Sequence, residues 1–124
     1  MAIGTMIELP AMAQAETKPI FADYNGACGA GYRVVDWIEI GPGNAYLTWD
    51  SSTGKNCVVT VRHTPAVVPV EMSAWIEGAG NPNVDHGYYT TYAGPRFVNG
   101  RGTCISFGGS VEGKYAEKRN VHCG

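Results

Sequence analysis

Charged side chains are scarce in this sequence. They make up 16% of the 124 residues, whereas about a quarter of an average soluble protein is charged. The net charge is −2 and the nine Lys and Arg residues form no cluster, so there is no electrostatic basis for binding nucleic acid. The low charge also argues against a disordered chain. We therefore expect a single folded domain of modest size, without a nucleic-acid partner.

Long apolar runs are absent as well. No stretch reaches the roughly 18 residues that a membrane-spanning helix needs, so no membrane span is predicted. Residues 1–15 resemble part of a secretory signal, and Ala13-Gln14-Ala15 has the small-x-small form of a cleavage site. However, no basic residue precedes the apolar run, and Glu8 and Pro10 interrupt it. We interpret residues 1–15 as a retained tail, with a signal-peptide remnant as the alternative.

Metal and redox motifs are also missing. No CxxC pair occurs among the four cysteines, and the three histidines form neither HxH nor HExxH, so no metal and no cofactor are predicted. An even number of cysteines in a small, Gly-rich chain indicates two disulfides formed in an oxidising compartment, outside the cell. Three connectivities are possible for Cys28, Cys57, Cys104 and Cys123. We favour Cys28–Cys57 and Cys104–Cys123, because each would join strands that are close in sequence.

The sequence does contain many short β patterns separated by turn signals. Seven strands are predicted, at residues 32–40, 45–49, 56–62, 70–77, 88–93, 103–107 and 114–121. The third is β-branched on both parities and is expected to be central, with both faces covered. The fourth alternates and is expected to be half-solvated. Regularly spaced strands predict an all-β fold, a small disulfide-tied antiparallel β-sandwich or barrel of about seven strands over residues 28–124.

Glycine and proline set two of the predicted boundaries. Gly94-Pro95 is expected to close the fifth strand, with residues 96–98 continuing it after a bend. Gly108-Gly109-Ser110 is expected to break the sixth. Residues 116–119 could form one helical turn instead of part of the last strand.

The N-terminal tail has a pattern of its own. Ile3, Ile7 and Leu9 share one parity, and Met6 and Glu8 share the other, which suits an extended strand with one apolar side. We expect residues 1–27 to form an extended tail and linker. Its strand would add to an exposed sheet edge on another secreted protein or a neighbouring copy, with Ile3, Ile7 and Leu9 filling pockets. A floppy terminus is the alternative.

Five motifs stand in one order along the chain: Cys28-Gly29-x-Gly31-Tyr32, Thr53-Gly54-Lys55-Asn56-Cys57-Val58-Val59-Thr60, Tyr88-Tyr89…Tyr92-Ala93-Gly94-Pro95, Cys104…Phe107-Gly108-Gly109 and His122-Cys123-Gly124. Together they resemble the spore-associated protein A family, small secreted proteins of spore-forming actinobacteria, over about residues 28–124. The resemblance implies secretion and a disulfide-tied β domain, and it supplies no catalytic residues. Phe107 stands where the resemblance leads us to expect tryptophan.

Catalytic constellations are weak. No GxSxG motif occurs, and oxidised cysteines leave no thiol nucleophile. Asp85 and His86, beside the tyrosine-rich strand, could form an acid–base pair, although an ordinary loop hydrogen bond is the favoured interpretation. We therefore predict that the protein is not an enzyme, and a hydrolase is the last of the functions considered.

Aromatic residues are more informative than the acids. Tyr and Trp are favoured at binding surfaces, because they offer a large rigid area and a polar tip. Trp75 shares its parity with Glu71, Ser73 and Glu77, so it is expected to be partly exposed and to contact a partner. Tyr88 and Tyr92 are the other predicted contact residues, with packing in the core as the alternative for all aromatics.

These patterns predict a secreted, non-enzymatic interaction module, at the spore or cell surface or in an extracellular assembly. An adaptor subunit that docks through its N-terminal strand fits the apolar tail, and by analogy the assembly could be an antibacterial toxin particle. The alternative is a small secreted carbohydrate-binding protein that uses Trp75 and the tyrosines.

Overall fold

Strand β3 (Lys55–Arg62) is buried over most of its length on both faces, as its β-branched sequence predicts. The computed structural model describes residues 24–124. The other strands are β1 (Arg33–Glu39), β2 (Gly43–Asp50), β4 (Val70–Glu77), β5 (Asn83–Tyr89), β6 (Tyr92–Asn99), β7 (Ile105–Val111) and β8 (Lys114–Val121). Residues 24–124 include no helix. The all-β prediction is confirmed, with eight strands in place of about seven.

The strands form two antiparallel sheets of four. The first sheet has the order β1-β2-β3-β6 and the second has the order β5-β4-β7-β8. Strands β5 and β6 are consecutive in the chain but lie in different sheets, so the turn at Thr90 and Thr91 crosses between them. The result is a β-sandwich.

The main core fills the space between the sheets. Its fully buried side chains come from alternate positions of five strands, β2, β3, β4, β6 and β7, as a sandwich requires. They include Leu47 on β2, Val58 on β3, Met72 and Ile76 on β4, and Phe107 on β7.

A second apolar cluster covers the outer face of the first sheet. Residues 24–32 lie over this face, where Tyr46 and Val59 are fully buried, and the ring of Tyr24 lies 5.8 Å from that of Tyr46. The structure pairs Cys28 with Cys57, which fixes the covering segment to β3, and pairs Cys104 with Cys123. This is the connectivity favoured from the sequence.

Strand β7 corrects one prediction. Gly108 and Gly109 do not break the strand but lie in its middle. A Cβ on Gly109 would stand 2.2 Å from Thr60 Oγ1, and one on Gly108 would stand 2.9 Å from the indole nitrogen of Trp75. These glycines therefore mark close approach of neighbouring groups and not a turn.

The region around Gly94-Pro95 corrects another. The predicted strand at 88–93 is in fact the end of β5 and the start of β6, and Gly94 and Pro95 lie inside β6. Strand β6 is at the edge of its sheet. Its register against β3 shifts between Val58 and Thr60, and Gly94 and Pro95 lie opposite this shift. A proline is tolerated there because an edge or bulge position needs no ladder hydrogen bond from it. Residues 116–119 are β8 and not a helical turn.

The two ends of the sandwich differ. One end carries the β3–β4 loop, the β5–β6 turn and the β7–β8 turn, and the other carries the turn at 51–54, the β6–β7 connection and the residues after β8. No helix within residues 24–124 has the length and apolar character that crossing a membrane requires. The predicted tail strand with Ile3, Ile7 and Leu9 lies outside the described residues.

Candidate binding surface

Exposed apolar and aromatic side chains gather at one end of the sandwich. We call this surface the tyrosine end; it comprises Val67, Val68, Pro69, Tyr88 and Tyr92. Val67 is 99% exposed, Tyr88 70%, Val68 63% and Tyr92 40%. Large apolar groups held in water at one place mark a contact surface more often than scattered ones do.

Backbone hydrogen bonds hold the two loops of this surface together. The amide of Arg62 donates to the carbonyl of Thr91 at 2.9 Å, and the amide of Ala66 donates to the carbonyl of Thr90 at 2.8 Å. The β3–β4 loop is thereby tied to the β5–β6 turn. The tyrosine end is a preformed surface, which lowers the ordering cost of binding.

A shallow cavity of about 420 Å³ lies within this end. It is lined by three tyrosines, two threonines, Pro69 and Gly94. Tyr88 and Tyr92, both predicted contact residues, line it together, with Tyr89, Thr90 and Thr91 between them in the chain. The lining offers aromatic faces and hydroxyl groups and no charged side chain.

Asp85 supports the cavity from below. Its carboxylate accepts hydrogen bonds from the Tyr89 hydroxyl at 2.6 Å and from the Gly94 amide at 2.7 Å. Burial opposes ionisation of Asp85, but these hydrogen bonds and the nearby Arg96 outweigh it and hold the pKa below its usual value. The hydrogen bond to Asp85, with some burial, raises the pKa of the Tyr89 hydroxyl. Tyr89 therefore stays protonated and keeps the β5–β6 turn in place.

Asp85 and His86 do not form the acid–base pair considered from the sequence. Asp85 faces the half-buried side of β5, whereas His86 is exposed on the outer face of the second sheet. The His86 imidazole Nε2 lies 3.1 Å from Glu71 Oε2 instead. Consecutive residues of a strand point to opposite faces, which is why the pair is separated.

Glu71 is the centre of a hydrogen-bond network on that outer face. It accepts from the Ser110 hydroxyl at 2.5 Å and from the Gly113 amide at 2.8 Å, and Ser110 Oγ lies 2.6 Å from Ser73 Oγ. Burial opposes ionisation of Glu71, but Ser110, Gly113 and His86 together lower its pKa. The carboxylate, and not the imidazole, contacts the hydroxyl, so this is not the arrangement that activates a serine nucleophile. The network clamps β4, β5 and β7 together.

Trp75 requires a correction. It lies on the outer face of the second sheet, as its parity predicts, but it is only 8% exposed, so the prediction of partial exposure is wrong. The Arg119 guanidinium stands 5.2 Å over its ring, the Tyr115 hydroxyl lies near it, and Gly108 leaves room beneath it. The alternation of side chains along a strand predicts which sheet face a residue occupies. It does not predict how far neighbouring side chains cover that residue. A contact of Trp75 with a partner stays a prediction.

Sequence reasoning missed Val67, Val68 and Pro69. Residues 63–69 lie between two of the predicted strands, and no contact residue was predicted among them. The signal that could have found them is a pair of large apolar residues placed between prolines, where no strand can bury them.

The described residues show no metal centre. Within residues 24–124, no three or more His, Cys, Asp or Glu side chains are placed to hold a metal ion.

These features define a small, disulfide-tied antiparallel β-sandwich with an exposed aromatic surface at one end. The chain is 42% identical over 124 residues to "Spore-associated protein A" from Streptomyces coelicolor, an alignment that covers 98% of this chain and 79% of that protein. The chain therefore belongs to the spore-associated protein A family. No protein-family model matches it, and no solved structure matches it.

Proposed function

We propose that this protein is a non-enzymatic binding protein of the spore or cell surface, and that it makes contact through the tyrosine end. The name of its Streptomyces relative supports the location. The two disulfides support an oxidising, extracellular environment. The observation that carries the proposal is the exposure of Tyr88, Tyr92, Val67 and Val68 on one preformed surface.

A macromolecular partner would cover these side chains. Tyrosine and valine side chains gain free energy when they leave water, by about 25 cal/mol per Å² of apolar area. Aromatic residues fixed in the centre of an interface often dominate its affinity. Because Tyr88 and Tyr92 line one cavity, a protruding group of the partner could enter between them.

A carbohydrate is the second candidate ligand. The cavity at the tyrosine end has tyrosine faces, threonine hydroxyls and no charge in its lining. A sugar ring can place its C–H face on an aromatic ring and direct its hydroxyls to polar neighbours. This observation favours a neutral glycan and not a charged one.

Docking through the N-terminal strand and membership of an antibacterial toxin particle stay predictions. Ile3, Ile7 and Leu9 are the residues expected to fill pockets on a partner. Deletion of residues 1–15 tests this docking separately from the tyrosine end. Ile7→Asp should abolish it, because an unpaired carboxylate would be buried, whereas Glu8→Ala should leave it unchanged.

The experiment uses the full chain, labelled with a fluorophore, and purified spores of the source organism. Bound protein is measured by flow cytometry as a function of concentration. The Tyr88→Ala, Tyr92→Ala double variant should weaken binding by about tenfold or more, as expected when two central aromatic contacts are lost. Val84→Ala is the control, because Val84 is 51% exposed and lies near the start of β5, toward the opposite end of the sandwich.

The same assay separates the two candidate ligands. Protease treatment of the spores should abolish binding if the partner is a protein, and muralytic digestion of the glycan should abolish it if the partner is a carbohydrate. Equal binding by the double variant, the Val84→Ala control and the unaltered protein would overturn the proposal.

A further inference from the structure

The end opposite the tyrosine end contains the larger cavity. It has a volume of about 560 Å³, within the range of small-molecule sites. The cavity forms at the end of the space between the two sheets, beyond the last side chains of the main core. The inward positions of β2 and β3 change there from Leu47 and Val58 to Trp49 and Asn56, and both of these residues line the cavity. Trp49 is half-buried, so part of its indole remains accessible.

One wall of this cavity is a fixed turn. Arg101 donates from its guanidinium to the carbonyl of Ser51 at 2.8 Å and to that of Thr53 at 3.4 Å. The amide of Gly100 donates to the carbonyl of Gly54 at 2.9 Å. A Cβ on Gly100 would stand 1.9 Å from Asn56 Oδ1, so only glycine allows this turn to approach β3 so closely.

The opposite wall contains His122. Its imidazole Nε2 lies 2.9 Å from Asp36 Oδ2, and the next residue, Cys123, is bonded to Cys104. Asp36 also accepts from Lys118 Nζ at 2.8 Å and from the Trp37 amide at 2.7 Å. The wall is held by a disulfide on one side of His122 and a carboxylate on the other, so the cavity is preformed on both sides.

The lining indicates the chemistry of a ligand. Trp49 and Val35 offer apolar surface, and Arg101, His122 and Asn56 offer polar groups, while none of the lining side chains is a carboxylate. A guanidinium has five N–H donors. Two bonds to carbonyl groups leave others free, and their planar arrangement matches a carboxylate.

We propose that this cavity binds a small ring compound that carries a carboxylate, with the ring against Trp49 and the carboxylate at Arg101. An acidic sugar and an aromatic acid share this chemistry. The inference does not depend on the tyrosine end, because the two sites lie at opposite ends of the sandwich and suit different ligands, an anion here and an uncharged group there.

The test is an NMR titration of the full chain, labelled with ¹⁵N, with three probes. D-glucuronate and benzoate represent the two sources of a ring carboxylate, and methyl glucoside is a neutral ring. At least one of the two carboxylates should shift the indole N–H resonance of Trp49 and the amide resonances of Gly100 and Arg101. The neutral ring should bind at least about tenfold more weakly than the carboxylates, because it cannot form a charge-assisted hydrogen bond with Arg101.

Variants separate a specific site from general attraction of anions. Arg101→Gln should weaken carboxylate binding about tenfold, and Trp49→Leu should weaken it without a change in net charge. Lys114→Gln is the control, because it removes one positive charge at the opposite end of the sandwich. Amide spectra of each variant report whether the turn at residues 100–102 keeps its structure.

Two results would overturn the proposal. One is the absence of shifts at Trp49, Gly100 and Arg101 with both carboxylates, each added separately at millimolar concentration. The other is equal weakening by Arg101→Gln and Lys114→Gln, which would mean that the anions respond only to net charge. Loss of spore binding by the tyrosine variants would leave this result unaffected, so the two proposals fail independently.

Discussion

The indole of Trp75 is enclosed by three neighbours on the outer face of the second sheet. Arg119 lies over the ring, the Tyr115 hydroxyl lies near it, and Gly108 has no side chain to displace it. A cation over an aromatic face adds roughly 0.5–2 kcal/mol, depending on its exposure to solvent. Arg119 also pairs with Glu117, with 2.6 Å between Nε and Oε2, which holds the guanidinium in position. Residues 24–32 cover the outer face of the first sheet, whereas no segment within residues 24–124 covers the outer face of the second sheet in this way. Trp75 and its neighbours stabilise that second face.

Trp75→Ala should lower the free energy of unfolding by about 3–5 kcal/mol, because truncation of a buried tryptophan leaves a cavity. Urea denaturation followed by circular dichroism measures this. Tyr88→Ala is the comparison, and should cost less than about 1 kcal/mol because the side chain is exposed. Equal stability of the two variants would mean that Trp75 is not buried in solution.

Strands differ in how far their sequences predict them. Strand β4 was predicted with its observed bounds, and β3 to within one residue, because each has an uninterrupted pattern of side chains. Strand β7 was cut short, because Gly108-Gly109 has the composition of a turn, while its physical role is to admit Trp75 and Thr60 from other strands. Such contacts depend on residues far away in sequence, so no local pattern reveals them.

The site was only partly predictable for a similar reason. Tyr88 and Tyr92 were identified from residue type alone, and the turn that joins β5 to β6 brings them to one cavity. Val67, Val68 and Pro69 join them only through the hydrogen bonds between two loops. The cavity at the other end needs five separate parts of the chain, from Val35 to His122.

The disulfide Cys104–Cys123 closes a loop with a sequence separation of 19 and ties the start of β7 to the residues after β8. Replacing both cysteines by serine should destabilise the fold by about 3 kcal/mol in the chain-entropy model. It should also free His122 from the wall of the larger cavity. Thermal unfolding measures the first effect, and the linewidth of the His122 ring resonances measures the second. A variant with unchanged unfolding temperature would contradict the assigned role of this bridge.

Three carboxylates link separate parts of the sandwich. Asp36 joins the edges of the two sheets through Lys118 and His122, Glu71 joins β4 to β5 and β7, and Asp85 joins β5 to β6. For each carboxyl, burial raises the pKa. Hydrogen bonds and charged neighbours together lower the pKa by more than burial raises it, so the net shift is downward. The molecule therefore gains stability from ionised carboxyls that its strands hold in place.

Stability should fall in acid for this reason. A carboxyl with a lowered pKa in the folded state contributes stability fully above its unfolded pKa of about 4. The contribution is lost as the pH falls through the lower folded value. Urea midpoints should therefore be constant near neutral pH and decrease from about pH 5 downward. Asp36→Asn should make this decrease shallower, whereas a decrease of equal steepness would show that Asp36 does not contribute to it.

The whole molecule has one end stabilised by disulfides and one end that exposes tyrosines and valines. The central claim is that a partner at the spore or cell surface covers the tyrosine end. Site-specific photo-crosslinking tests this claim most directly. A benzophenone amino acid is placed at position 88 in one protein and at position 84 in another, and each is irradiated on spores. Val84 is exposed and lies near the start of β5, toward the opposite end of the sandwich. We predict covalent attachment to surface material from position 88 and none from position 84. Attachment from position 84 alone would contradict the account, because the tyrosine end would then face solvent while the protein is bound.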